Sequence, residues 1–264
     1  MGSFKDLAKL KGFAEAGLVV RTAKEQNTDR REAELRKIDD AKEAAAAAVV
    51  ANAPHYPWAR VGTLAEVRTL LDVHANAFSI AERKEVDATI DIAALVHPAQ
   101  IADGDHVIDS LLMPAEGTAL YVCGNLTVTH RVVQRFRAGT LVVFGSLRAQ
   151  HIITTGQILV VGDVDVPGTI YGNSSNYATT VLGNAKVGTL ISAKAHLFAL
   201  LGSYTVGELV ALDAPAPNYA IYARSSPLST RTLDPAVGDA HDAAAVAAAL
   251  SERNDVLIPA THEI

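Results

Sequence analysis

Cysteine and aromatic side chains are scarce in this chain of 264 residues, and long apolar runs are missing. The single cysteine, Cys123, excludes a disulfide within the chain and is typical of a reducing cytoplasm. Aromatic residues are only 5% of the sequence although apolar residues are 49%, which favours thin, alanine-rich layers over one wide core. No apolar run approaches the length of about eighteen residues that a membrane span needs, and no signal peptide is evident. We therefore expect a cytoplasmic protein.

The sequence also lacks the short motifs that carry common chemistries. It has no phosphate-binding loop, no dinucleotide-binding glycine pattern, no zinc-protease helix and no hydrolase nucleophile elbow. His130 and His151 each lie six residues after a repeated glycine, so regular coils would place them in one column. The only other possible metal ligand in that column is Glu208. We predict no enzymatic activity, no cofactor and no metal site.

Negative charge is concentrated in one part of the chain. The formal net charge is −6, and residues 61–117 alone carry 3 Lys+Arg against 10 Asp+Glu, or −7. No basic stripe is present, so we predict no nucleic-acid partner, and no membrane partner is expected either. An acidic segment suits a basic protein partner. The candidate contacts in this segment are Asp103, Asp105 and Asp109.

A repeat organises the middle of the chain, between residues 118 and 213. Five short apolar segments each end in a glycine, a small polar residue follows, and apolar and polar residues then alternate. The glycines are spaced by 21, 17, 21 and 19 residues. Such a repeat predicts a β-solenoid with two strands per coil, whereas an antiparallel sandwich, the alternative, gives no reason for five aligned columns. The repeated glycines are Gly124, Gly145, Gly162, Gly183 and Gly202.

The fold class that we predict is mainly β, with a solenoid between helical ends. Residues 1–99 form a helical N-terminal region and lead-in, residues 100–223 the β-solenoid, and residues 224–264 a C-terminal helical cap. Gly104 precedes the first repeated glycine by 20 residues and marks a degenerate first coil.

Local signals predict where two helices begin. Thr63 and Glu66 have the spacing of a capping box. Asp234 is a candidate cap with proline at the next position, and the alanine-rich run 243–251 is the clearest helix in the chain. We expect this last helix to seal an open end of the solenoid, where backbone groups would otherwise lie unpaired.

The repeat also indicates where other surfaces pack. In each repeat, the third residue and the first residue before the glycine should face outward, as with Tyr121 and Cys123 before Gly124. These outward positions are nevertheless largely apolar. We expect a terminal helix of the chain to cover them, with a partner protein or a second copy as the alternative. The polar connection 168–179 has the tyrosines and asparagines that binding loops favour. Its candidate contacts are Tyr171, Asn173, Asn176 and Tyr177.

Several of these segments carry a resemblance to a known group of proteins. They are LeuTyrValCysGlyAsnLeuThrVal, LeuValValPheGlySerLeuArgAla, LeuValValGlyAspValAspVal, the loop ThrIleTyrGlyAsnSerSerAsnTyr, and the end around LeuAspProAlaVal. Over roughly residues 100–260 the chain resembles bacterial β-solenoid proteins of the immunity type, which accompany polymorphic, contact-delivered toxins. The resemblance implies a right-handed solenoid without chemistry of its own, which occludes a cognate toxin. Relatives tend to have a compact Gly-aromatic-Asn-His-Gly turn where this chain has a longer loop without the histidine.

Two other solenoid classes remain as alternatives. Bactofilin-like structural proteins are also cytosolic solenoids that self-associate, but their units are more uniform and have little helix at either end. Hexapeptide acyltransferases require a strict six-residue apolar period, which spacings of 21, 17, 21 and 19 do not keep. A protein-binding immunity role is therefore the leading prediction, and a self-assembling structural role is the alternative.

Overall fold

Short and long strands alternate along the chain and stack into two parallel sheets. The computed structural model describes residues 56–73, 99–113, 118–134, 139–212, 229, 231–239 and 242–258. All of these residues belong to one compact unit, Ala48–Ile264. Residues 1–55 and 74–98, which make up most of the predicted helical N-terminal region and lead-in, lie outside the described residues.

Each coil contributes one short strand and one long strand. The short strands are β1 (Arg60–Gly62), β2 (Ala99–Ala102), β4 (Ala119–Val122), β6 (Thr140–Val143), β8 (Gln157–Val160), β10 (Ala178–Val181) and β12 (Leu197–Leu200). The long strands are β3 (His106–Met113), β5 (Leu126–Gln134), β7 (Leu147–Thr154), β9 (Val164–Asn173), β11 (Ala185–Ala193) and β13 (Tyr204–Ala211). Consecutive coils pair in parallel within each sheet, except that β1 pairs antiparallel with β2. The predicted solenoid is therefore present, and Gly104 does mark its first coil.

The corner glycines allow the coils to approach closely. The Gly145 N–H donates to Gly124 O at 3.0 Å, and the Gly162 N–H donates to Gly145 O at 3.0 Å. A Cβ at Gly145 would lie 2.6 Å from the Gly124 carbonyl carbon and oxygen. Among the described glycines, only Gly104 and Gly238 have positive φ. The repeated glycines are thus required by stacking distance and not by a left-handed backbone.

Apolar side chains fill the interior and two of the outer faces. Inward residues such as Leu120, Leu141 and Ile158 are fully buried in the central core. A second cluster lies outside the short strands, where Tyr121 and Val142 pack with other outward residues and with the first helix. This cluster explains the apolar outward columns of the repeat.

The first helix, α1 (Leu64–Val73), begins at the predicted capping box. The Glu66 N–H donates to Thr63 Oγ1 at 3.3 Å, and the Thr63 N–H donates to Glu66 Oε2 at 2.7 Å. Val67 and Leu71 are fully buried in the cluster outside the short strands. Helix α1 therefore covers part of this face.

The second helix, α2 (Ala243–Glu252), is present where the alanine-rich run predicts it, and Asp242 caps it. Its contacts correct the prediction of an end cap, because α2 packs on the flank of the solenoid, against β7. The long strands bend at the β-bulges where their register shifts. Beyond these bulges, outward residues such as Ile153, Tyr171 and Ile191 are apolar and buried. Asp234 and Pro235 begin only a short 3₁₀ turn, Pro235–Val237. The C-terminal segment, residues 231–239 and 242–258, packs on this flank. The apolar cluster between them contains Ile153, Tyr171, Ile191, Val210, Val246 and Leu250.

Aromatic side chains close the N-terminal end of the core. The rings of Tyr56 and Trp58 lie 5.2 Å apart, and the Trp58 ring lies 4.9 Å from that of His106. Trp58 packs against the central core, and Tyr56 is buried in it. Trp58 thus anchors the segment before β1 on the first coil.

Candidate functional site

Among the described residues, one outer face of the solenoid is mostly polar and uncovered. We call this face the open flank. It consists of the outward residues in the first part of each long strand, before the bend. Arg148 and Asp165 form an ion pair on it, with Nη2 and Oδ2 2.7 Å apart. The outward residues on the other two faces are largely buried. The open flank contains Val107, Thr127, Arg148, Asp165, Lys186 and Thr205.

A ladder of side chains runs along the edge of the open flank. Each corner residue before Ser203 accepts a hydrogen bond from the backbone N–H of the corner residue in the next coil, at 2.7 to 3.2 Å. The small polar residue after each glycine is the sequence signal for this ladder. The ladder makes the flank a rigid surface, because it ties every coil to its neighbour. It consists of Asp105, Asn125, Ser146, Asp163, Asn184 and Ser203.

The three predicted acidic contacts lie together on the first coil and are exposed. Asp103 Oδ2 accepts from Arg60 Nε at 3.0 Å. Asp105 begins the corner ladder, and the hydrogen bond from the Asn125 backbone N–H lowers the pKa of its carboxyl group. Asp109 has no place in the corner ladder, and its partners Thr129 and His130 on the next coil are exposed.

Asp109 and His130 form an exposed pair at the bend of the first two coils. His130 Nδ1 lies 2.5 Å from Asp109 Oδ1, and this hydrogen bond lowers the pKa of the Asp109 carboxyl group. His130 does not share a column with His151, because β5 contains an extra residue and Arg131 pairs with His151 instead. This difference removes the histidine column that regular spacing predicts.

The predicted loop contacts divide into buried and accessible residues. β9 extends to Asn173, so the connection is shorter than residues 168–179. Tyr171 is fully buried beneath the C-terminal segment, and Asn173 is 4% exposed and donates to the Tyr171 hydroxyl at 3.0 Å. Burial removes both from a partner's reach, which corrects the prediction for them. Asn176 is exposed and Tyr177 half-buried, so both stay predicted contacts.

Reactive side chains in the described residues offer little chemistry. Burial raises the pKa of the Cys123 thiol to about 11, so the nucleophilic thiolate is scarce at neutral pH. Within the described residues, no three His, Cys, Asp or Glu side chains are grouped as metal ligands. No helix in the same ranges has the length and apolar composition to cross a membrane.

A groove lies between helix α2 and the ends of the long strands, from β3 to the turn after β11. Its volume is about 1090 Å³, and Ala244, Ala247 and Ala248 form part of its helical wall. Leu112 and Arg131 lie on the solenoid side, and the Arg131 Nη1 donates to Ala247 O at 3.1 Å. Sequence reasoning missed this groove because α2 was expected at an end of the solenoid.

A buried histidine lies at the turn between β11 and β12. Lys194 and Ala195 have φ of 51° and 54°, and this left-handed turn directs His196 into the interior, where it is fully buried. Its Nε2 lies 3.0 Å from Thr179 Oγ1, and its ring lies 4.9 Å from that of Phe198. Burial lowers the pKa of His196 to about 4.

We expect this histidine to make the fold sensitive to acid. The unfolded chain binds a proton near pH 6.5 and the folded chain only near pH 4, so stability falls as pH drops between these values. At pH 5 the loss is about 2 kcal/mol relative to pH 7.5. Urea unfolding from pH 7.5 to 4 measures it. In His196→Gln the free energy of unfolding should fall less steeply with decreasing pH, because unfolding then takes up one proton fewer in this window. Parallel plots of the free energy of unfolding against pH for the two proteins would contradict the role assigned to His196.

Comparisons with known proteins identify no relative of this chain. No family model, no curated protein and no solved structure matches it. The function is therefore argued from the residues and surfaces described above.

Proposed function

We propose that this chain is a non-enzymatic protein-binding protein of the bacterial cytoplasm. It acts as an immunity protein, which occludes the working surface of a cognate toxin. The proposal includes the right-handed winding that the sequence resemblance implies. The observation that carries it is the open flank, a polar face that the described residues leave uncovered while they bury the other outer faces. Occlusion requires affinity and rigidity, and no chemistry from the chain.

The backbone supports this role because it is already organised for binding. Parallel ladders and the corner ladder hold the backbone beneath the open flank in place. A surface that does not reorder on binding loses less conformational entropy in the complex. Arg148, Asp165 and Lys186 provide charges of both signs along this surface, which suits a partner with complementary charges.

The cap at the N-terminal end favours this proposal over the self-assembling alternative. β1 pairs antiparallel with β2 and occupies the edge of the short-strand sheet that coaxial stacking would need. Trp58 and Tyr56 lie against the same end of the core. A second copy approaching end on would therefore meet this cap before it reached the parallel ladders.

Electrostatic steering of a basic partner gives a measurable prediction. The first coil exposes Asp103 and Asp109, so we expect the association rate to fall about tenfold between low and physiological salt. In a variant with Asp103→Asn and Asp109→Asn the fall should be smaller, while dissociation changes less. Stopped-flow measurements on the purified complex provide both rates. An association rate that salt leaves unchanged would exclude steering.

Purification of the tagged chain under native conditions, followed by light scattering, tests the proposed function. We expect a stoichiometric complex with one small protein, whose toxic activity the chain inhibits in a direct assay. A large assembly that contains only this chain would instead support the bactofilin-like structural role. If the chain binds a protein without inhibiting its activity, the immunity role is contradicted, while the more general protein-binding function still stands.

A further inference from the structure

Strand β3 forms one edge of the long-strand sheet. The sheet order ends at β3, which pairs with β5 on one side. In the other sheet the equivalent edge, that of β2, is covered by β1. Within the described ranges, no strand pairs with the second side of β3. Within the part of the chain that the structure describes, the first coil is therefore paired by β1 on its short-strand side and unpaired on its long-strand side.

Backbone groups of β3 point toward this open side. The His106 N–H donates to Asn125 O at 2.8 Å, toward the next coil. Because successive backbone groups of a strand alternate in direction, the N–H and C=O of Val107 point away from β5. At the far end of the strand, the Tyr56 hydroxyl donates to Leu112 O at 3.3 Å, which limits the edge there. A strand added at Val107 would find backbone donors and acceptors in place.

The side chains of β3 lack the features that protect natural sheet edges. Edge strands usually carry lysine, proline or inward charges that discourage pairing. β3 contains no lysine, arginine or proline, and its only carboxylate is Asp109 at the bend. Val107 is 74% exposed and Leu112 is 50% exposed, so an apolar side chain stands near each end of the strand. A strand that pairs at Val107 would cover that side chain, and its continuation past the Tyr56 contact would lie beside Leu112.

The negative charge around the edge of β3 favours a basic strand as the partner. Asp103, Asp105 and Asp109 are exposed on the first coil, and Arg60 is the basic residue bound to Asp103. A strand with lysine or arginine beside apolar residues would therefore match both the carboxylates and the exposed apolar side chains.

We propose that the open edge of β3 binds an extended basic segment of a partner protein by β-strand addition. This inference rests on the proposed protein-binding function and names the surface and the chemistry of the contact. The added strand pairs with the backbone of Val107 and places apolar side chains beside Val107 and Leu112. Its continuation enters the groove next to α2, whose lining includes Ser110 and Leu112.

A displayed library of random twelve-residue peptides, selected on the immobilised full chain, tests this surface. Val107→Pro removes the outward N–H without removing a bond to β5, and Val107→Thr retains that N–H as the matched control. We expect enriched peptides with alternating apolar residues and lysine or arginine. They should bind Val107→Pro at least tenfold more weakly than Val107→Thr, with both variants melting close to the natural chain.

The possible results separate this inference from the proposed function. Enriched peptides that bind Val107→Pro as tightly as Val107→Thr, acidic enriched peptides, or no enrichment would each overturn β-strand addition. The native purification decides protein binding independently, because it does not depend on Val107. If Val107→Pro fails to fold, Val107→Lys keeps the N–H but opposes a basic strand, and the same tenfold loss is expected. A dimer that Val107→Pro dissolves would identify a second copy as the occupant and overturn the basic partner.

Discussion

Gly145→Ala should destabilise the solenoid by about 4 kcal/mol or more, although it adds one methyl group. The new Cβ would lie 2.6 Å from the carbonyl carbon and oxygen of Gly124 and 2.7 Å from the Asn125 nitrogen. These are backbone atoms, so no side-chain rotation relieves the collision. The two coils must separate, which also lengthens the bond from the Gly145 N–H to Gly124 O. Thermal unfolding should show a fall in Tm of about 10 °C.

Gly104→Ala provides the matched control for this prediction. Gly104 lies at the corresponding corner of the first coil, but nothing lies within 4 Å of a Cβ there. Its φ is +81°, so alanine would cost about 1–2 kcal/mol through backbone strain alone. If Gly104→Ala were as destabilising as Gly145→Ala, backbone conformation and not coil distance would explain the repeated glycines. The larger substitution Gly145→Val should prevent folding of the stack.

The coils were predictable because their signals are local and repeated. A glycine after each short apolar segment sets a corner, and strict alternation after it assigns inward and outward residues. The bend in the long strands was not predictable in the same way. The extra residue around Thr129 and His130 shifts the register against β7, and counting from Gly124 cannot detect such a shift. The expected histidine column was wrong for this reason.

Burial of the outer faces depends on segments that are distant in sequence. Tyr171 and Asn173 lie in a polar stretch that has the composition of a surface loop. They are buried because β9 continues through them and because residues more than sixty positions later pack over that flank. The alanine-rich helix was predictable from its composition, yet its docking site was not. The open flank and the open edge of β3 can be identified only after it is known which two faces are covered.

Arg231 is a polar anchor of the C-terminal segment on the flank, and it gives a second prediction with a large effect. Arg231 Nη1 lies 2.7 Å from Glu208 Oε2, and its Nη2 lies 2.6 Å from Asp255 Oδ2. Its Nε donates to Ile258 O at 2.7 Å, and its Nη2 also donates to Leu257 O at 3.0 Å. The side chains of Arg231 and Glu208 are each 20% exposed. One guanidinium thus joins β13 to the end of the described chain.

We expect Arg231→Leu to cost about 3 kcal/mol, because it leaves Glu208 partly buried without its cation and removes bonds to two carbonyl groups. Arg231→Lys should recover only part of this loss, since an ammonium cannot reproduce the planar set of contacts. Arg253→Leu is the control, because its pair with Asp234 is more exposed and should contribute less than about 1 kcal/mol. Hydrogen exchange should show faster opening of α2 in Arg231→Leu, while the amides of β6 and β8 remain protected. Equal effects of Arg231→Leu and Arg253→Leu on α2 would show that apolar packing alone holds the segment on the solenoid.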